Sequence, residues 1–110
     1  MDSNLFTIHH EAQLAAIITR FAQVPIAVMF TSNLSRSCRD AKDRFTKLAS
    51  NKKVIFVIVI VDPAQWGSQL DWDYTPMVLP HFAFYFTGHI FAQVDGTRES
   101  DIYQVLNAYL

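Results

Sequence analysis

The chain has little cysteine, little charge and no long apolar run. Cys38 is the single cysteine among 110 residues. No intramolecular disulfide can form, a secreted disulfide framework is excluded, and a reducing, cytoplasmic compartment is the expectation. Charged residues make up 17% of the sequence and the formal net charge is −1. No field of one sign draws such a chain to nucleic acid or to an anionic membrane, and neither is expected as a partner. The longest uninterrupted apolar run, Val54 to Val61, is too short to span a bilayer. Met1-Asp2-Ser3-Asn4 carries no basic region and no long apolar run follows it, so no signal peptide is expected.

What the chain has in quantity is apolar surface, at 51% of residues. That predicts a well-filled core and an apolar patch left over for a partner. The length suits one domain, 1–110, without internal repeats or linkers.

Hydrophobic spacing divides the chain. Leu5 to Ile8 reads as a short strand. Leu14, Ile17, Ile18 and Phe21 fall at helical spacing, with Glu11 and Arg20 placed to suit the two ends of the helix dipole. Ile26 to Phe30 is apolar throughout, as in a strand covered on both faces. After the polar loop Thr31 to Ser35 comes an amphipathic helix. Its apolar stripe is Cys38, Ala41, Phe45 and Leu48, and Arg36, Arg39, Asp40, Lys42, Asp43, Arg44 and Lys47 fill the rest. The β-branched run Val54 to Val61 predicts a central parallel strand, ended by Asp62-Pro63. Ala64 to Tyr74 reads as a short helix with an irregular end, and Thr75 to Pro80 as a rigid linker. Phe82 to Phe86 and Ile90 to Val94 flank Thr87-Gly88-His89 as an antiparallel hairpin. Asp95-Gly96-Thr97 breaks the pattern before a last helix, about Glu99 to Ala108. The order is β-α-β-α-β-α-β-β-α, an α/β domain with a central mixed sheet flanked by helices.

His9, His10, His81 and His89, with one cysteine and no close carboxylate pattern, do not form a ligand set, so no metal and no cofactor is expected. His81 follows Pro80 and is a candidate to sit near Cys38 and tune it. Trp66, Trp72 and Tyr74 cluster in one segment, either as a contact surface for a partner or folded back over the sheet. The charges from Arg36 to Lys47 mix signs, which describes a solvated helix face rather than a nucleic-acid stripe.

This order and several local motifs resemble the thioredoxin family over nearly the whole chain. In Phe30-Thr31-Ser32-Asn33-Leu34-Ser35-Arg36-Ser37-Cys38-Arg39, Ser35 takes the place of the family's first active-site cysteine and Cys38 that of the second. Ile60-Val61-Asp62 matches the strand that ends in an acid. Tyr74 to Pro80 matches the tyrosine and cis-proline spacing. Gly88 matches the hairpin glycine and Gly96 the glycine after the last strand. The resemblance implies the thioredoxin-like fold and a cis Leu79–Pro80 bond, which would expose the Leu79 backbone for pairing with an extended peptide. A trans proline that starts an edge strand is the other reading of Pro80.

The departures bear on function. In a working dithiol the outer cysteine attacks and the inner one resolves the mixed disulfide. A serine hydroxyl is a far weaker nucleophile unless a base activates it, and Ser35 has no histidine nearby in sequence. The family's buried acid is replaced by Met29 and its frequent lysine partner by Ile58. Leu34 stands for the aromatic residue before the first cysteine, and Arg36-Ser37 for the usual Gly-Pro. Dithiol–disulfide oxidoreductase activity is therefore not expected. The expected function is a protein-binding or adaptor module whose groove is formed by Ser35, Arg36, Ser37, Leu79, Pro80, Asp95 and Gly96, with Ser35 also capping the helix. The alternative is a single-cysteine redox-regulatory or glutathione-linked protein acting through Cys38, which otherwise reads as a small buried residue of the helix stripe. A homodimer across the oily surface is a third expectation.

Overall fold

The computed structural model describes residues 4–31, 36–50, 53–60, 81–95 and 104. Five strands and two helices lie in these segments: β1 Leu5–Ile8, α1 Glu11–Arg20, β2 Ile26–Thr31, α2 Arg36–Leu48, β3 Ile55–Ile60, β4 His81–Phe86 and β5 His89–Asp95. Gln104 is helical. The strands form one sheet in the order β1-β3-β2-β4-β5. β1, β3 and β2 are mutually parallel, and β4 and β5 are antiparallel to their neighbours. The helix expected over Ala64 to Tyr74 and the linker to Pro80 lie outside the described residues, as does most of the segment read as the last helix.

β3 is apolar throughout, and β2 is apolar from Ile26 to Phe30, because both of their faces are covered. Ala27 and Met29 of β2, Phe56 and Ile58 of β3, and Phe82 and Phe84 of β4 share a core with Ala41, Phe45 and Leu48 of α2. The alternate residues Ile26, Val28, Phe30, Val57, Val59, Ala83 and Tyr85 share the other core with Leu14 of α1. A strand whose two faces are both buried has no reason to alternate with polar residues. The stripe on α2 is the complementary case. Cys38, Ala41, Phe45 and Leu48 are buried, while Arg39, Asp40, Asp43, Arg44 and Lys47 are exposed, as one apolar face on a helix requires.

Local polar groups set the element ends. Gln13 Oε1 accepts from the backbone N–H groups of His9 and His10, at 3.0 and 3.1 Å, which steadies the chain at the start of α1. At the end of α1, Arg20 lies 5.0 Å over the Phe21 ring, and that ring packs 5.8 Å from Phe6 of β1. Asn4 acts over a longer range. It is buried, and its Nδ2 donates to Ala49 O at 2.9 Å, just past α2, and to Val54 O at 3.1 Å, just before β3. Its own carbonyl accepts from Phe56 N–H at 2.7 Å. One side chain thus ties the start of the sheet to the end of α2. Asn4→Ala leaves two buried carbonyls short of a donor. It is expected to cost about 1–3 kcal/mol in urea denaturation, with the m-value unchanged.

The hairpin turn is shorter than the sequence spacing suggests. His89 pairs with Phe86, so only Thr87 and Gly88 form the loop. Both have positive φ, 52° and 84°, the pattern of a two-residue turn that follows the twist of its strands. Further along, Phe84 pairs with Ala92 and Tyr85 with Ile90, leaving Phe91 as the extra residue of a bulge.

Candidate functional site

The site expected from the sequence lies where β2 ends and α2 begins. β2 finishes at Thr31, which is buried, and the backbone of Arg36 and Ser37 forms the first two residues of α2. Cys38 is the third. It belongs to the stripe that faces the sheet and is only 1% exposed. On the sheet beneath α2, Met29 lies opposite Ile58 on one side and opposite Phe82 on the other. All three are buried in the core that α2 closes. The two positions where the resemblance puts an acid and a lysine are therefore neighbours here, and both are apolar. At these two positions no side chain accepts or delivers a proton, because a thioether and an aliphatic group stand there.

β4 brings in a residue that the sequence spacing leaves out of the strand. His81 is its first residue, pairs with Phe30 of β2 and is 5% exposed. Its ring packs 6.0 Å from that of Phe30. Phe30 belongs to the core under α1, so His81 lies across the sheet from Cys38 rather than beside it. The expectation that His81 tunes the thiol directly does not match this placement. The strand period explains it: Phe82 and Phe84 face α2, and the residues alternating with them face the other way. Asp95, the last residue of β5, pairs with His81 in the ladder, so it stands in register at this same end of the sheet.

Of the residues assigned to the groove, the described structure brings Arg36, Ser37 and Asp95 to the same end of the sheet as Cys38 by backbone position. Ser35, Leu79, Pro80 and Gly96 lie outside the described residues, and so do the cis or trans state of the Leu79–Pro80 bond and the cluster of Trp66, Trp72 and Tyr74. Among the described residues no three His, Cys, Asp or Glu side chains group as a metal site. No helix among them is long and apolar enough to cross a membrane.

Strand order, direction and helix placement together decide the architecture, and comparison with solved structures agrees. Spinach chloroplast thioredoxin f superposes with a TM-score of 0.83, at 18% identity over 96% of this chain and 87% of that one. Schistosoma mansoni thioredoxin pre-protein gives 0.78, at 15% identity over 96% and 98%. The structure of a complex of ferredoxin:thioredoxin reductase with thioredoxin f2 gives 0.83, at 11% identity over 99% and 98%. The chain has the thioredoxin fold. No protein-family model and no curated protein matches the sequence. The thioredoxin fold is thus kept here at an identity too low to carry activity with it, and function has to be argued from the residues at the site.

Proposed function

We propose that this protein is a thioredoxin-like binding module, without dithiol exchange, that holds an extended protein segment at the sheet end marked by Cys38, His81 and Asp95. The observation that carries the reading is the burial of Cys38. Dithiol exchange needs two thiols, and the chain has one. A one-thiol cycle needs a sulfur that a substrate can reach as thiolate. Cys38 is buried, so a substrate sulfur reaches it only when the helix opens locally. The partner segment is expected to pair through its backbone, as extended peptides do at exposed strand ends, with affinity set by main-chain hydrogen bonds rather than covalent capture.

Two measurements test this. With dithiothreitol as donor, the protein is expected to leave the rate of insulin disulfide reduction at the level of dithiothreitol alone; acceleration of the thioredoxin kind would overturn the proposal. Iodoacetamide is expected to label Cys38 in the native protein at least about 100-fold more slowly than in the unfolded chain, the factor that local opening at about 2.7 kcal/mol imposes. Labelling at the unfolded rate would turn the assignment toward a redox role for Cys38.

A further inference from the structure

We propose that the opposite end of the sheet, at the β4–β5 turn, is a separate binding site for a small flat aromatic molecule of one or two rings bearing a polar group. The site is a pocket of about 370 Å³ lined by Phe86, Thr87, His89 and Phe91. Pockets that take small ligands run from about 300 to 1,000 Å³ and are mostly apolar, with a few placed polar groups. Among the described residues this one has two phenyl rings, an imidazole and a threonine. Because β4 runs antiparallel to β2, Phe86 stands five residues along the strand from His81, on the order of 17 Å from the candidate groove.

Three features mark this end of the sheet. Phe82 and Phe84 alternate along β4 and are buried under α2, whereas Phe86, the next in the same series, is 43% exposed, the one large hydrophobic side chain among the described residues to be so. Phe91 is the extra residue of the bulge, and its ring lies 6.3 Å from that of Phe84. The bulge therefore aims a second ring toward the aromatic row on β4. Thr87 has a left-handed φ of 52°, which a β-branched residue adopts at a cost that asparagine or glycine would avoid. Strain held in place by its surroundings is a mark of functional sites.

The turn is also fixed. Thr87 N–H donates to Ala22 O at 3.1 Å, in the segment after α1, and Thr87 Oγ1 donates to Phe86 O at 2.7 Å. A held turn keeps the rings in place before a ligand arrives, which lowers the ordering cost of binding. The space over Gly88 is open, with nothing within 4 Å of where a side chain would begin.

The chemistry of the lining selects the ligand. Phenyl rings favour another ring, stacked with an offset or met edge to face, over an aliphatic group of equal size. Phe86 and His89 form a directly opposed cross-strand pair, so their side chains leave the same face of the hairpin. His89 is exposed at the rim, where its imidazole offers one donor and one acceptor in the neutral form. A ring that carries a hydroxyl or carboxylate satisfies both features.

Titration of the full chain with phenol, followed by amide NMR, tests the site, with cyclohexanol as the aliphatic control of the same size. Phenol is expected to shift the amides of residues 84–91 saturably, and cyclohexanol to leave them in place. Phe86→Ser, at an exposed position, is expected to keep the dispersed spectrum and weaken phenol binding about tenfold. The proposal is overturned if no saturable shift occurs, if Phe86→Ser binds as well as the parent chain, or if cyclohexanol binds equally. Shifts centred on residues 30, 38 and 81 would also overturn it, since they would place the ligand at the other end of the sheet. The insulin and iodoacetamide results bear on that other end alone, so the two proposals fail separately.

Discussion

Met29→Asp is expected to destabilise the protein by about 3–5 kcal/mol at neutral pH, a large share of the stability of a domain this size. The position is fully buried in the middle of β2. Its cross-strand neighbours are Ile58 and Phe82, and its core partners on α2 include Ala41 and Phe45. A carboxylate there gives up water and gains no hydrogen bond from these groups. Burial raises the carboxyl pKa in the folded state above the ordinary value of about 3.9. The folded variant then holds a proton that the unfolded chain releases. The deficit is smallest below about pH 4 and grows as pH rises, up to the folded pKa. Denaturation of parent and variant at several pH values checks both magnitude and sign. The double variant Met29→Asp with Ile58→Lys is expected to recover part of the loss, because the two positions face each other in register. A neutral effect of the single variant would mean that the sheet beneath α2 is wet, and the reading of Met29 and Ile58 as a dry apolar pair would fail with it.

The parts of the fold legible in the sequence are those where one physical demand acts alone. β3, Ile55–Ile60, is read from the run Val54 to Val61 because a strand covered on both faces must be apolar throughout. α2 is read from four apolar residues spaced by three and four, with charges elsewhere, and the structure buries that stripe. Strand order needed the resemblance to a known family, since no local pattern says that β3 lies between β1 and β2. Where two demands compete, the sequence misleads at the margin. His81 reads as the polar residue before a strand, yet it is the strand's first buried position, because its ring has apolar edges that pack on Phe30. Phe86 continues the alternation of Phe82 and Phe84 in the strand read from Phe82 to Phe86, yet it is exposed where they are buried. Asn4 gives no signal at all: its partners are 45 and 50 residues away. The departures at Met29 and Ile58 are legible only against the family resemblance, which implies an acid and a lysine at those positions. What a partner would recognise at the groove is less so, because it depends on Leu79, Pro80 and Gly96, which lie outside the described residues.

Phe45→Ala is expected to cost about 3–5 kcal/mol, the usual range for deleting a buried phenyl ring. Phe45 is the only large aromatic side chain on the apolar stripe of α2. Its ring meets Phe56 edge-on at 5.3 Å and 77°, and Phe82 at 5.7 Å and 45°. It thus bridges β3 and β4, which flank β2 on either side. Ala41 has almost nothing to remove, and Leu48 sits at the end of the stripe. Lys47→Ala, on the exposed face, is the control and is expected to change stability by no more than about 0.5 kcal/mol. The effect on the site follows from the same contact. Cys38 is buried because α2 is held to the sheet, and Phe45 lies two turns further along that helix. Loosening the helix should raise the rate of Cys38 labelling in Phe45→Ala by more than global unfolding alone accounts for, while Lys47→Ala labels as the parent does. A loss below about 1 kcal/mol, with Cys38 as protected as before, would show that something other than the α2 stripe keeps the thiol from solvent, and the physical basis for calling this scaffold redox-silent would have to be sought elsewhere.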